Sequence, residues 1–215
     1  MAPSIEDILG DYKFDESRLE RISFRKAKPP LEIVPPNPAW PQNFETFKAR
    51  IVSALGDKAI EVHHTGSTSI PGLPAKDIID IDLVVPDNTD EPAFVPALEA
   101  VGFQFLTREP HWFGHRFFCG YEPLVANLHV WSPGCPEVER HRIFREWLLE
   151  HPEDKELYVK IKEESSKVTR EKGGLTMDYN LLKENTIREI LRRAFKALGY
   201  LDEKEGSAEG NSATL

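Results

Sequence analysis

Asp80 and Asp82 stand two positions apart in Ile78-Ile79-Asp80-Ile81-Asp82-Leu83-Val84-Val85, and that spacing is the strongest chemical signal in the chain. In an extended segment side chains alternate between faces, so both carboxylates project from one side while Ile79, Ile81 and Leu83 take the other. Two carboxylates on one face of an apolar strand are costly to bury without a cationic partner. A divalent ion, Mg²⁺ or Mn²⁺, is the simplest such partner, because hard cations take a few carboxylate oxygens together with substrate phosphates. Upstream, Gly66-Ser67-Thr68-Ser69 offers backbone N–H groups and hydroxyls suited to a phosphate. Lys76, just ahead of the acidic strand, adds a cation, and Arg116 is a further candidate for gripping a triphosphate or an acidic substrate. These residues point to a site for nucleotide phosphates and a metal.

The elements that must position them follow from periodicity. Leu31 to Val34 reads as a short strand, and Trp40 to Leu55 as a helix whose Phe44, Phe47, Ile51 and Leu55 recur at helical spacing. Ala59 to His64 is a strand leading into the small-residue turn; by alternation His64 shares a face with Val62, opposite His63, and is the better site candidate of the two. Pro92 to Val101 reads as a helix, Phe103 to Thr107, Arg116 to Cys119 and Leu124 to Trp131 as strands, and Glu137–Glu150, 153–172 and 178–198 as three helices, with Asp178 capping the last. Strands alternating with helices, then helices alone, predict an α/β (α+β) fold with a mixed sheet and a packed helical subdomain. The expected organisation is an N-terminal extension over 1–30 with two helical turns (Ser4–Leu9 and Ser17–Phe24), a sheet region over 31–135, a helical subdomain over 136–200, and a polar disordered tail over 201–215.

The string His64-Thr65-Gly66-Ser67-Thr68-Ser69-Ile70-Pro71-Gly72-Leu73-Pro74-Ala75-Lys76-Asp77-Ile78-Ile79-Asp80-Ile81 resembles the signature segment of the GrpB family, within the polymerase-beta-like nucleotidyltransferase superfamily. Trp40-Pro41, Asn127-Leu128-His129-Val130, Phe144-Arg145-Glu146-Trp147-Leu148, Tyr158-x-x-x-Lys162 and Tyr179-x-x-x-Lys183 are similar to later parts of the same pattern, so the resemblance spans about residues 32–198. It implies a nucleotidyltransferase-like sheet flanked by helices. It also implies a metal on Asp80, Asp82 and a third ligand, with the Gly66-Ser67-Thr68 turn toward the phosphates. Two departures matter. Asp77 stands where the family pattern has proline, and adds a carboxylate beside the pair. The third carboxylate of active nucleotidyltransferases is replaced by His129, a ligand better suited to Mn²⁺ or Zn²⁺ than to Mg²⁺.

The Tyr-to-Lys spacing of four puts each pair on one helix face. His64, Arg145, Tyr158, Lys162, Tyr179 and Lys183 are therefore candidates for a cleft wall, the alternative being tyrosines half in the core with lysines in solvent. The implied ligand is a nucleoside triphosphate with a small-molecule or protein acceptor. A non-catalytic nucleotide- or phosphometabolite-binding protein, or a scaffold with a degenerate site, is the other reading. Some relatives of the family are fused to dephospho-coenzyme A kinases, but this chain has no glycine-lysine phosphate loop, so kinase activity is not expected.

Composition narrows the classes. A net charge of −9 over 215 residues argues against bulk nucleic-acid binding, though not against a local basic pocket. No apolar run has the length of a membrane helix, and Met-Ala-Pro-Ser-Ile-Glu-Asp lacks the blocks of a signal peptide. The two cysteines, Cys119 and Cys135, lack CxxC spacing and read as structural free thiols, which with the other features suggests the cytoplasm.

Overall fold

A computed structural model of the chain describes residues 2–12, 14–27 and 31–202. Within them run α1 (Ile5–Leu9), β1 (Glu20–Arg21), α2 (Trp40–Leu55), β2 (Glu61–Thr65), β3 (Ile78–Val84), α3 (Val95–Ala100), β4 (Gln104–Glu109), β5 (His115–Gly120), β6 (Val125–Trp131), α4 (Pro136–Glu150), α5 (Pro152–Glu171) and α6 (Thr176–Ala197). Six strands form one mixed sheet in the order β1-β4-β5-β6-β3-β2, in which β3 and β6 run parallel and the other neighbours antiparallel. The expected α/β class is the one observed.

The alternation read from Ile78 to Val84 sorts the sheet into two faces. Ile79, Ile81 and Leu83 join Leu128, Val130 and Phe118 against Phe44, Phe47 and Ile51 of α2 and Leu98 of α3, which makes the principal core. Burying side chains of this size stabilises by roughly 1.5–3 kcal/mol each. The opposite face carries the polar residues and meets the C-terminal helices. There Leu148, Tyr158 and Ile190 pack on Ile70 and Leu73 of the segment that follows the small-residue turn.

Sequence expectations and structure part company in three places. Leu31–Val34 is not a strand: one antiparallel bridge, Val34 to Ala75, is all that forms, because Pro35, Pro36 and Pro38 follow at once and remove donors. Ser17–Phe24 is not a helical turn; Glu16–Arg18 makes one 3₁₀ turn and Glu20–Arg21 then pairs with β4. The open edge of β4 supplies carbonyl partners that outweigh local preference, as where Leu106 accepts from the amide of Ile22 at 2.8 Å. Asp178 lies inside α6 rather than at its cap, and its carboxylate accepts from the amide of the capping residue Leu175 at 2.7 Å.

The N-terminal segment thus extends the sheet, and Ile8 of α1 is buried with Ile143, Leu191 and Phe195 of the C-terminal helices. Lys28–Pro30 and the part of the expected disordered tail from residue 203 onward lie outside the described residues. Cys119 and Cys135 are free and buried. Among the described residues no helix is long and apolar enough to cross a membrane.

Candidate functional site

Parallel pairing of β3 with β6 sets Asp80 opposite Asn127 and Asp82 opposite His129, while β5 sets Cys119 opposite Asn127 and Phe117 opposite His129. One sheet face therefore gathers every polar side chain of these strands that alternation turns away from the core. Asn127 donates from Nδ2 to Asp80 Oδ1 at 2.6 Å, and its own Oδ1 accepts from Arg25 at 2.7 Å. The guanidinium of Arg25 thereby fixes which way the amide points. Gly66 closes the turn against Asp80. At φ 66° it holds a conformation that side chains disfavour, and a Cβ there would stand 2.9 Å from Asp80 Cβ.

Three lysines converge on this end of the face. The ammonium groups of Lys76 and Lys183 lie 4.6 and 4.5 Å from the centroid of the same ring, that of buried Tyr179. Lys162 is 1 % exposed, lies 5.1 Å from the Tyr158 ring and donates to the carbonyl of Pro74 at 2.5 Å. Burial lowers all three: Lys76 to about 8, with the charge of Lys183 adding to the effect; Lys183 to about 8; and Lys162 well below the ordinary value. Asp80 is the carboxylate they share, and burial raises its pKa even though Asn127, Lys76 and Lys183 pull it down. None of the three lysines forms an ion pair within salt-bridge distance among the described residues. Ser67 completes this end, with its hydroxyl 3.3 Å from that of Tyr158.

Two residues along the strand the situation changes. Asp82 is 1 % exposed, and both of its oxygens are engaged: Oδ1 accepts from the Trp131 indole at 2.8 Å and Oδ2 pairs with His141 Nδ1 at 2.8 Å. Burial alone would lower His141, but the charge and hydrogen bond of Asp82 outweigh it and raise it to about 9. Burial would likewise raise Asp82, and His141 holds it down. The cation on Asp82 is thus an imidazolium from α4. His129 is neutral, pushed by burial and by His115 to about 3. Its Nδ1 lies 2.9 Å from His115 Nε2, His115 Nδ1 lies 2.9 Å from Glu109, and Glu109 also accepts from the Tyr12 hydroxyl at 2.8 Å.

The face accordingly brings together Gly66, Ser67, Lys76, Asp80, Tyr158, Lys162, Tyr179 and Lys183, with Asp82 and His129 beyond them. Other sequence candidates stand elsewhere. His64 pairs with Ile81 on the core side of β2, where it stacks on Phe44 at 4.7 Å and reaches Thr68 Oγ1 at 3.0 Å. Burial and the charge of Arg145 hold it neutral, at about 4. Thr68 is buried and its hydroxyl donates to the carbonyl of Ile78, so it serves the turn. Arg116 pairs with Val130 on the core side of the sheet and is bound to Glu91 at 2.7 Å. Arg145 acts on His64 rather than on Asp80. Asp77 accepts the Trp40 indole N–H at 2.6 Å and adds nothing to the acidic pair.

The metal expected on Asp80, Asp82 and His129 does not fit this donor set. Asp82 has both oxygens occupied and already carries the His141 imidazolium as its cation, and no cluster of three or more His, Cys, Asp or Glu side chains suited to a metal occurs among the described residues.

Arg25, Glu109, His115, Asn127, Trp131 and His141 went unrecognised as site residues in the sequence. Period-two alternation in His115-Arg116-Phe117 and Asn127-Leu128-His129-Val130-Trp131 carries part of that signal. Nothing local marks Arg25 or His141, which arrive through tertiary packing.

Comparison with known proteins bears on this arrangement. The family model described as GrpB protein matches residues 30–193. A UPF0157 protein of Halalkalibacterium halodurans is 38% identical over 195 residues, covering 89% of this chain and 98% of its own. One of Pseudomonas aeruginosa is 33% identical over 182 residues, covering 84% and 74%. A dephospho-CoA kinase of Mycobacterium tuberculosis is 29% identical over 195 residues, and the chain spans 47% of that protein's length. Among solved structures, a conserved GrpB protein of Enterococcus faecalis superposes with a TM-score of 0.65 at 24% identity, over 78% of this chain and 99% of that one, which shows a shared fold.

Proposed function

The chain belongs to the GrpB family, and we propose that it binds a nucleoside triphosphate, or a phosphorylated metabolite of similar charge, in the cleft between the Ser67 turn and the two Tyr–Lys helices. The observation that carries this reading is the pair of ammonium groups on the ring of Tyr179, with Lys162 beside them and one carboxylate, Asp80, to serve all three. Burial, to which the charge of Lys183 adds for Lys76 and Lys162, pushes these ammonium groups toward their neutral forms, and a polyphosphate would favour the charged ones. Ser67 adds a part-exposed hydroxyl beside that of Tyr158, and the buried rings of Tyr158 and Tyr179 back the lysines from beneath. The chain as a whole is acidic, with a net charge of −9, so this group of lysines is a local exception that favours an anion.

Equilibrium dialysis with ATP and with tripolyphosphate tests the reading. Retention of both by the wild type, and of neither by Lys76→Gln/Lys183→Gln, is the expected outcome; no retention by the wild type removes it.

A second reading, nucleotidyl transfer to a small-molecule or protein acceptor on a nucleotidyltransferase-like fold, rests on the shared face of Asp80 and Asp82. It requires Asp82 to part from His141 before the two aspartates could share a cation, and it predicts pyrophosphate release with some acceptor when Mg²⁺ or Mn²⁺ is supplied. The kinase activity named for the longer mycobacterial relatives is not carried over, because no phosphate loop is present in this sequence.

A further inference from the structure

The hydrogen-bond chain behind His129 dictates where its proton sits. Glu109 carries a carboxylate that accepts only, so His115 Nδ1, 2.9 Å away, must be the donor of that contact. A neutral His115 then has a bare Nε2, and His129 Nδ1, 2.9 Å from it, must donate in turn. The remaining nitrogen of His129, Nε2, is left with a lone pair. It has no hydrogen-bond partner among the described residues, is not among their fully buried polar atoms, and belongs to a half-buried ring on the same face as Asp80 and Asp82. Packing locks the arrangement: His115 is 2 % exposed, stacks on Trp131 with ring centroids 4.4 Å apart and meets Trp112 edge-on at 4.6 Å, while Phe117 flanks His129 at 5.0 Å. Tyr12, from the N-terminal segment, donates to the second oxygen of Glu109 at 2.8 Å and stacks on Trp112, so the carboxylate is held from both sides.

We propose that Glu109 and His115 are positioning residues that hold His129 in its Nδ1–H form, so that Nε2 accepts a hydrogen bond from a hydroxyl of the ligand whose phosphates lie on Lys76, Lys162 and Lys183. The proposal rests on the anion-binding reading for the ligand, but not for the state of the ring. It adds a chemical class: a phosphorylated ligand that carries a hydroxyl, as a nucleotide sugar does and a bare polyphosphate does not. A metal or an oxyanion on Nε2 is not required.

Nitrogen-15 spectra of the histidines in the ligand-free full chain test the relay directly. The expected pattern is His129 protonated at Nδ1 and bare at Nε2. His115→Phe keeps the ring and its stacking but removes the acceptor, so His129 should shift toward the Nε2–H form; a thermal melt confirms that the variant is folded, and His115→Gln, whose amide oxygen replaces the acceptor, should restore the wild-type pattern. A wild-type His129 protonated at Nε2, or a His129 pattern unchanged in His115→Phe, overturns the relay.

ATP and tripolyphosphate then separate ligand from relay. Movement of the Nε2 resonance with ATP but not with tripolyphosphate, while lysine Nζ resonances respond to both, supports the hydroxyl contact. Lysine response without any Nε2 movement overturns it, whereas silence of the lysines to both probes overturns the anion-binding reading and the ligand half with it.

Discussion

His141 Nδ1 lies 2.8 Å from Asp82 Oδ2, so the carboxylate that the sequence marks most plainly for a metal is held by a charged side chain of the protein itself. The relationship divides the acidic pair. Asp80 faces lysines and a turn built for close approach, whereas Asp82 is tied into the Trp131–His141 network beneath them. Asp82 is paired with His141, while Asp80 relies on the Asn127 amide and on lysines at longer range, and burial raises it.

That pair has a pH signature. His141 is raised to about 9 from an ordinary 6.5, so its contribution to stability is present in full below the ordinary value and is lost as pH rises through the folded one. Discounted for its partial exposure, the contribution is about 1–2 kcal/mol. Urea midpoints followed from about pH 6 to about pH 10 should fall in the wild type and stay flatter in His141→Gln. His141→Gln should itself lose about 2–4 kcal/mol at neutral pH, because it leaves Asp82 buried with one bond fewer. Parallel pH curves for the two proteins would contradict the pairing.

Gly66→Ala should be costly in two ways. The residue sits at φ 66° and its Cβ would press on Asp80, which together predict a loss of about 2–4 kcal/mol in chemical denaturation. Because the clash falls on Asp80 and not on the core, ligand affinity should fall further than stability alone accounts for. A variant with wild-type affinity would show that the turn does not shape the cleft.

Asp77→Ala tests a carboxylate assigned to the scaffold. Asp77 is spent on the Trp40 indole, so its removal should cost about 1 kcal/mol of stability and leave ATP binding within twofold of wild type. A tenfold change in affinity would return Asp77 to the site.

Arg25 and Arg116 make a complementary pair of tests. Arg25→Ala releases Asn127 from its fixed orientation beside Asp80 and removes a cation from the face, so ATP affinity should drop about fivefold or more. Arg116→Ala strips Glu91 of one of its two arginine partners on the far side of the sheet, so it should lower the melting temperature and spare affinity. The opposite ranking in a binding assay would reverse the assignment of faces.

How far the sequence carries can be judged from these residues. Asp80, Asp82 and the core positions Ile79, Ile81 and Leu83 were legible because a strand's period is fixed by its backbone, and Trp40–Leu55 because its apolar stripe has one period. Lys162 and Lys183 were legible as helix-face partners of their tyrosines, though not Lys162 as a buried group. Alternation sets which residues share a face but not which face meets the core, so only the pairing of His64 with Ile81 and of Arg116 with Val130 places those two on the core side. Arg25, His141 and the whole of β1 depend on contacts between segments far apart in the chain, and no local pattern encodes such contacts.

Isothermal titration of the full chain with ATP at about pH 8, in buffers of different ionisation enthalpy, tests the central claim most directly. Lys76 and Lys183 lie near 8 in the free protein. A polyphosphate favours their charged forms, so binding should take up protons, its measured heat should depend on the buffer, and Lys76→Gln or Lys183→Gln should weaken it about tenfold or more. Absence of binding, or binding that neither takes up protons nor responds to these substitutions, would contradict the assignment of the lysine cleft as the site.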